Sequence, residues 1–268
     1  MIERYPRVLT VVTWKWHRPG YRSAFTGEHV NKLAAMVAKH YPYPHKVICV
    51  TNEPTGIDSA ITVIPDDKDF EDVPSPHGGM NPTCYRRLRG WHPNAAQWFG
   101  ERFVSIDLDT VITADVSSIW NRPEPVVLYS DPLYPARQYC GAMVLMTAGA
   151  HPEVWNDFDP ATSPRLAMAA GKRGSDQAWI SYKLPRQATW GREDGVYSYR
   201  RDIEATGRLP SDAKIVMFHG RTDPWSPEAQ KLWWVRRHYD GRPTADGASA
   251  ETYIDLGSDI ENRIKLVS

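Results

Sequence analysis

The stretch Arg102-Phe103-Val104-Ser105-Ile106-Asp107-Leu108-Asp109 joins a short apolar run to a pair of acidic side chains. The run from Arg102 to Ile106 is typical of a buried β-strand. Ligands of open α/β sheets bind beyond the carboxyl ends of strands, so Asp107 and Asp109 stand where a binding site is expected. Residues separated by one position at a strand end project to the same side. The stretch therefore predicts two carboxylates that face one ligand.

Alternating strand and helix patterns precede this stretch. Val8 to Thr13 is rich in β-branched residues, Glu28 to Lys39 has the apolar spacing of a helix, and Lys46 to Thr51 and Ile61 to Ile64 resemble strands again. This order predicts an α/β fold in which helices flank a mixed, mainly parallel sheet. A helix broken near a proline is predicted over residues 83–99.

Further elements are predicted after the acidic pair. They are helices at 116–120, 152–158, 227–239 and one beginning at Ser175, and strands at 126–129, 141–146 and 214–218. We expect one domain over residues 1–225, followed over residues 226–268 by a C-terminal helix and a tail that packs on the domain or is partly mobile.

The composition excludes several classes of protein. In 268 residues, 32 Lys and Arg balance 32 Asp and Glu, so no overall field favours binding to nucleic acid. The apolar run at residues 8–12 is too short for a signal peptide or a transmembrane segment. Three scattered cysteines indicate neither a disulfide framework nor a zinc site. We therefore expect a cytoplasmic protein.

Two adjacent carboxylates suit a hard divalent cation. With a third ligand, Asp107 and Asp109 could hold an ion that also contacts two phosphate oxygens, and the ion would neutralise a leaving diphosphate. Such an acidic pair on its own is weak evidence, since Asp is frequent at turns. The surrounding motifs decide its meaning.

The segments around the acidic pair resemble glycosyltransferase family 8, the glycogenin-like enzymes with a GT-A fold. The matching segments, in the family's order and spacing, are Tyr85-Arg86-Arg87-Leu88, Val104 to Asp109 and Asp115 to Trp120. The resemblance implies a GT-A-like, Rossmann-like fold and a nucleotide-sugar donor, such as a UDP-sugar. It also implies that Arg87 reaches the donor, and that Asp107 and Asp109 hold Mn²⁺ or Mg²⁺.

Two later segments resemble the sugar-binding part of the same family. Tyr139 to Leu145 is similar to a strand that passes under the donor sugar, which assigns Gly141 to donor binding. Gly174-Ser175-Asp176-Gln177 is similar to an Asp-Gln pair beside the transferred sugar. The resemblance implies that Asp176 orients a sugar hydroxyl and that Gln177 lies near the anomeric carbon, as the two catalytic residues.

The segment Ile215 to Trp225 resembles the family's His-x-x-Gly-x-x-Lys-Pro-Trp motif. The resemblance implies that His219 is the third metal ligand and that Gly220 contacts the donor. Asp223 stands where the family has Lys, and Arg221 could supply positive charge to the diphosphate instead.

The end of the first predicted strand carries Thr13-Trp14-Lys15-Trp16, where GT-A enzymes bind the base and ribose. Thr13 and Trp14 are therefore predicted donor contacts. Lys15 is interpreted as a solvent-facing charge.

The expected function is metal-dependent transfer of a hexose from a nucleotide-sugar, with retention of configuration, to an acceptor that the sequence does not define. Two alternatives remain. Ile106 to Val111 also fits the motif of haloacid-dehalogenase phosphatases, with Asp107 as nucleophile and Asp109 as general acid. A nucleotide-sugar-binding module without turnover is the other.

Overall fold

The computed structural model describes residues 8–16, 24–77 and 83–242. Ten strands lie in these ranges: β1 (Leu9–Lys15), β2 (His45–Thr51), β3 (Thr62–Pro65), β4 (Arg102–Ile106), β5 (Thr110–Ile112), β6 (Val126–Ser130), β7 (Tyr139–Thr147), β8 (Ala188–Trp190), β9 (Val196–Ser198) and β10 (Ile215–Met217). Seven of them form one sheet in the order β3-β2-β1-β4-β7-β6-β8.

The seven-stranded sheet is mainly parallel, as the sequence predicts. Val12 of β1 lies opposite Ile48 of β2 on one side and Ser105 of β4 on the other, and both pairings are parallel. Strand β7 runs antiparallel to both of its neighbours, β4 and β6. The carboxyl ends of β1, β2, β4 and β6 therefore meet the beginning of β7 at one edge, which we call the carboxyl edge.

A second, smaller sheet lies beyond the acidic pair, in the order β5-β10-β9. Strand β10 is antiparallel to β5 and parallel to β9. Just after β10, the backbone N–H of Phe218 donates to the carbonyl of Asp109 over 2.8 Å. The segment after β10 therefore begins beside the acidic pair, although more than one hundred residues separate them along the chain.

Helices cover both faces of the large sheet: α1 (Gly27–His40), α2 (Ala96–Phe99), α3 (Ser117–Trp120), α4 (Glu153–Asn156), α5 (Ser163–Ala169), α6 (Asp176–Lys183) and α7 (Trp233–His238). Side chains alternate between the faces of a strand. Val11 of β1 accordingly packs in one apolar layer with Leu33 of α1, and the next residue, Val12, packs in the other with Trp179 of α6. Each layer joins strands to helices and so holds the sheet in place.

Two predicted helices are interrupted. The helix over 83–99 is broken near Pro93 as predicted, but its first part, Tyr85–Trp91, is a 3₁₀ helix and its second part is the short α2. Proline lacks the N–H that a continuous helix needs. The helix predicted over 227–239 divides into a 3₁₀ turn, Ala229–Lys231, and α7, because Leu232 between them has an extended backbone.

Among the α-helices and strands of the described ranges, four have no counterpart in the prediction: α5, of seven residues, and the strands β5, β8 and β9, of three residues each. Three residues are too few to show a period.

Within α7, Trp234 and Val235 are fully buried in the layer that contains α1. The division at residue 225 remains a prediction, and the predicted tail beyond residue 242 lies outside the described residues. None of the helices in the described ranges is long and apolar enough to cross a membrane.

Candidate active site

Arg87 is at the centre of the candidate site and bridges two predicted site residues. Its Nε donates to Asp176 Oδ2 over 2.8 Å and its Nη2 donates to Asp176 Oδ1 over 3.2 Å. Its Nη1 donates to Asp107 Oδ1. The side chain of Asp176 is 3% exposed, whereas that of Asp107 is 31% exposed. Although burial opposes the charged form, Asp107 and Asp176 hold the pKa of Arg87 above its usual value.

Gly141, at the start of β7, allows Arg87 to approach the sheet. A Cβ atom at this position would lie 2.8 Å from Arg87 Nη2 and 3.2 Å from Asp176 Oδ2, which is closer than side chains pack. The backbone N–H of Gly141 also donates to Gln177 Oε1 over 3.1 Å. The structure therefore brings four predicted residues, Arg87, Gly141, Asp176 and Gln177, into one cluster with Asp107.

Ser175 connects the beginning of α6 to this cluster through two hydrogen bonds. Its Oγ donates to Asp176 Oδ1 over 3.2 Å and accepts from the backbone N–H of Cys84 over 3.0 Å. From the sequence, Ser175 is predicted only to begin a helix. Its contact with the residue before the Arg87 turn depends on a loop 91 positions away, which no local pattern indicates.

Asp109 is held beside Asp107 by the small sheet. Both residues are half-buried, and the Asp107 side chain is 31% exposed, so a ligand can reach this end of the sheet. Burial, followed by the negative charges of Asp107 and Asp223, raises the pKa of Asp109 well above its usual value, and Arg87 opposes the shift. Asp223 is thus a third carboxylate near the acidic pair that the sequence analysis does not assign to the site.

His219, the predicted third metal ligand, lies in a different environment. Its Nε2 is 2.7 Å from Ser198 Oγ at the end of β9, and its ring is 6.3 Å from the ring of Tyr129. In the described part of the chain, no group of three or more His, Cys, Asp or Glu side chains is placed to hold a metal ion. His219 is therefore not grouped with Asp107 and Asp109 in this structure, and the metal-ligand set remains a prediction.

Gly220 and Arg221 follow His219 in a loop beside a cleft of about 400 Å³. We call it the Arg200 cleft. It is lined by Tyr199, Arg200, Glu204, His219, Arg221 and Thr222. Gly220 has a φ of +130°, which favours glycine, and a Cβ there would lie 3.5 Å from Arg200 Cδ. Arg200 is not assigned by the sequence analysis.

The two predicted contacts at the end of β1 are buried. Thr13 is fully buried, and Trp14 is 6% exposed with its Nε1 donating to Ser105 Oγ over 2.9 Å. The Trp14 ring packs edge-on against Phe99 at 5.9 Å, so it belongs to the core. These two side chains present little surface to a nucleotide.

The interpretation of Lys15 as solvent-facing is wrong. Its side chain is fully buried, and Nζ lies 2.6 Å from Glu53 Oε2 and also donates to the Glu53 carbonyl. The hydrogen bond from Lys15 lowers the pKa of Glu53 to about 2. The pair joins the ends of β1 and β2 at the carboxyl edge. A lysine that directly continues an apolar strand is the only sequence signal for it.

Comparison with known proteins gives matches in structure but not in sequence. No protein-family model and no curated protein matches the chain. A crystal structure of the galactosyltransferase LgtC with donor and acceptor sugar analogues superposes with a TM-score of 0.58 at 12% identity, covering 89% of this chain and 98% of that one.

Two other glycosyltransferases have a similar fold. The bifunctional glycosyltransferase WbbM matches with a TM-score of 0.52 at 14% identity, over 84% of this chain and 48% of that one. GlyE of Streptococcus pneumoniae matches with a TM-score of 0.51 at 8% identity, over 87% of this chain and 61% of that one. At such low identity the likeness concerns the fold alone. The chain has a GT-A-like fold, which it shares with these glycosyltransferases.

Proposed function

We propose that the protein is a metal-dependent glycosyltransferase that transfers a hexose from a UDP-type nucleotide-sugar to an acceptor hydroxyl with retention of configuration. The observation that carries the proposal is the Arg87 bridge between Asp107 and Asp176. It puts a cation between two acidic groups at the carboxyl edge, where α/β folds bind their ligands. The shared fold of known glycosyltransferases supports this interpretation.

The acidic pair fits a divalent cation. Carboxylate oxygens are the ligands that Mn²⁺ and Mg²⁺ prefer, and both Asp107 and Asp109 retain access to solvent. Burial and the neighbouring carboxylates raise the pKa of Asp109, and positive charge at this point would oppose that shift. A bound ion would supply neutralising charge to the departing diphosphate.

Arg87 is suited to contact the diphosphate as well. A guanidinium has five N–H groups, and Arg87 uses three of them on Asp107 and Asp176. The remaining two can donate to phosphate oxygens. Asp176 holds the guanidinium in a fixed plane by accepting two of its hydrogen bonds, so the arginine needs little reorganisation to bind the donor.

Gln177 and Asp176 lie at the beginning of α6, on the predicted sugar side of the site. Gln177 Oε1 accepts from the backbone of Gly141, which leaves its amide nitrogen as a donor toward the sugar. In the proposed reaction, the bond between the anomeric carbon and the diphosphate oxygen breaks, the acceptor oxygen bonds to that carbon, and the acceptor's hydroxyl proton passes to the departing diphosphate.

Substitution of one carboxylate of the acidic pair tests the proposal. We expect Asp109→Asn to lower manganese-dependent hydrolysis of nucleotide-sugars by about a hundredfold or more, because it removes negative charge from the predicted ion site. Product release from a panel of UDP-sugars gives the measurement. Asp72→Asn, which changes an exposed carboxylate, is the matched control and should behave as wild type.

Other outcomes favour the alternatives. Unchanged hydrolysis in Asp109→Asn contradicts the metal assignment, and tight UDP-sugar binding without any turnover favours a binding module. The phosphatase alternative places its acidic motif after the first strand, whereas Asp107 follows β4. Turnover of a simple phosphate ester would be needed to support it.

A further inference from the structure

The Arg200 cleft brings together two arginines from distant parts of the chain. Arg200 lies on the π-helical turn Tyr199–Ile203, directly after β9, and Arg221 lies in the loop after β10. The parallel pairing of β9 with β10 places these two segments side by side. The Arg200 side chain lies beside the loop, since a Cβ atom at Gly220 would be 3.5 Å from Arg200 Cδ, an ordinary van der Waals contact.

Neither arginine of the cleft is paired with a carboxylate in the described ranges. Its one acidic lining residue, Glu204, instead accepts from Thr222 Oγ1 over 3.5 Å. Other arginines near the carboxyl edge are neutralised: Arg86 by Asp66 and Arg137 by Asp131. Guanidinium groups favour planar carboxylates and phosphates. Arg200 and Arg221 are exposed, so water solvates both charges. Because they line one cleft and neither is neutralised, the two guanidinium groups are suited to bind an anionic ligand together.

His219 adds a hydrogen-bonding group to the same cleft. Ser198 Oγ accepts from the backbone N–H of Arg201, so its own proton can be donated to Nε2 of His219, 2.7 Å away. The neutral imidazole then carries its proton on Nδ1. That nitrogen is buried and has no hydrogen-bond partner among the described residues.

The cleft and the acidic pair have different charged surroundings. His219 lines the cleft, has its Nε2 2.7 Å from Ser198 Oγ, and is not grouped with Asp107 and Asp109. Arg87, the cation beside the acidic pair, is paired with Asp107 and Asp176 and does not line the cleft. Phe218 connects the two regions: its backbone N–H donates to the Asp109 carbonyl, and His219 is the next residue in the chain. The cleft is thus a neighbour of the donor site with a separate set of charges.

We propose that the Arg200 cleft binds the acceptor and selects one that carries a carboxylate or phosphate group, with Arg200 and Arg221 as the cations that hold it. This inference rests on the proposed glycosyl transfer, since only a transferase has an acceptor. The donor's own diphosphate is the other oxyanion that could reach these residues, and the experiment distinguishes the two sources.

The test compares neutral and charged sugar probes on the full chain. Binding of methyl glucoside, methyl glucuronide and glucose 6-phosphate is measured by calorimetric titration at low and moderate salt, with UDP and Mn²⁺ titrated in parallel. We expect the charged probes to bind more tightly than methyl glucoside, and their affinity to fall with added salt. Arg200→Gln and Arg221→Gln should each weaken the charged probes roughly tenfold.

Arg201→Gln is the matched control, because Arg201 is on the same turn but does not line the cleft. It should leave binding of every probe unchanged. Equal binding of neutral and charged probes, or no binding of the charged ones, would overturn the inference. So would variants at Arg200 and Arg221 that weaken UDP instead, because they would identify a donor diphosphate site.

Failure of the proposed function would look different. A wild-type chain that neither binds nor hydrolyses any UDP-sugar, but still binds the charged probes through Arg200 and Arg221, would contradict glycosyl transfer and with it the acceptor role. A chain that hydrolyses UDP-sugars without discriminating among the probes would contradict the cleft assignment alone.

Discussion

At the scale of single residues, the site depends on a glycine that leaves room for an arginine. Arg87 is held between Asp107 and Asp176 because the absence of a side chain at Gly141 allows its guanidinium to lie against β7. The arginine and both carboxylates come from different segments, and each would be less stable without the others. A buried guanidinium deprived of its carboxylates is strongly unfavourable.

The substitution Gly141→Ala should therefore disturb the site directly. The added methyl group would meet Arg87 Nη2 at 2.8 Å, so the guanidinium must move away from the carboxylates. We expect the free energy of unfolding to fall by about 1–3 kcal/mol and UDP-sugar affinity to fall as well. Denaturant titration and calorimetry give the two measurements.

A second buried glycine offers the control. The nearest atom to a Cβ at Gly90 is 3.7 Å away, which is an ordinary contact. Gly90→Ala should therefore leave donor affinity unchanged and cost little stability. If Gly141→Ala binds UDP-sugars as tightly as wild type, the Arg87 cluster is not the donor site.

At the scale of elements, α7 docks beside the end of α1 through two histidines. The rings of His40 and His238 are 5.9 Å apart, and one nitrogen of each is buried without a hydrogen-bond partner in the described residues. Burial is the main cause that lowers the pKa of both, to about 4 for His238, and Lys39 lowers both further. Arg237 also lowers the pKa of His238, whereas Asp115 opposes the shift in His40.

The histidine pair predicts that stability falls in mild acid. Because the folded pKa values lie below the usual value near 6.5, the unfolded chain takes up protons first as the pH falls. The stability that the two neutral histidines contribute is fully present above about pH 6.5 and is lost as the pH falls toward 4. We expect a loss on the order of 1 kcal/mol between pH 7 and pH 5, after discounting for partial exposure.

Denaturant titration at several pH values measures this effect. Replacing both His40 and His238 with Gln should reduce the dependence between pH 7 and pH 5 without abolishing it, because burial also lowers the pKa of His219 and His29. His77→Gln, which changes an exposed histidine, should leave it unchanged. A double variant with the same slope as wild type would show that other groups control the acid sensitivity.

At the scale of the whole molecule, the sheet assembles one ligand site from segments far apart in the chain. Two apolar layers fix β4, β7 and α6 relative to one another, and the small sheet brings the end of β10 to Asp109. A donor bound where β4, β7, α6 and the end of β10 meet would make the stability of these elements depend on one ligand. A ligand that binds only the folded chain stabilises the whole fold.

Thermal unfolding should report this coupling. UDP and Mn²⁺ together, at about one hundred times their dissociation constant, are expected to raise the melting temperature by about 5 °C or more, and either alone should do less. The acidic-pair variant Asp107→Asn should remove the additional effect of Mn²⁺. Equal shifts with and without Mn²⁺ in the wild-type protein would contradict a shared metal and nucleotide site.

The architecture could be predicted in large part from local patterns. Strands β1, β2, β4 and β6 and helix α1 lie within one or two residues of their predicted positions, because burial on a regular element repeats with a short period. Strands β5, β8 and β9 and the 3₁₀ geometry before Pro93 could not be predicted, since no clear period develops over such short segments. Lys15 could not be placed either, because its partner Glu53 lies in the loop after another strand, β2.

By itself, the sequence determined the strand that ends at Asp107, the acidic pair and the order of motifs around it. Only the tertiary structure decided what those side chains contact. Arg87 and Asp176 are 89 positions apart, and His219 reaches Ser198 rather than joining Asp107 and Asp109 in one ligand group. The physical reason is that secondary structure follows from neighbours along the chain, whereas a site follows from packing between segments that meet only when the sheet has formed.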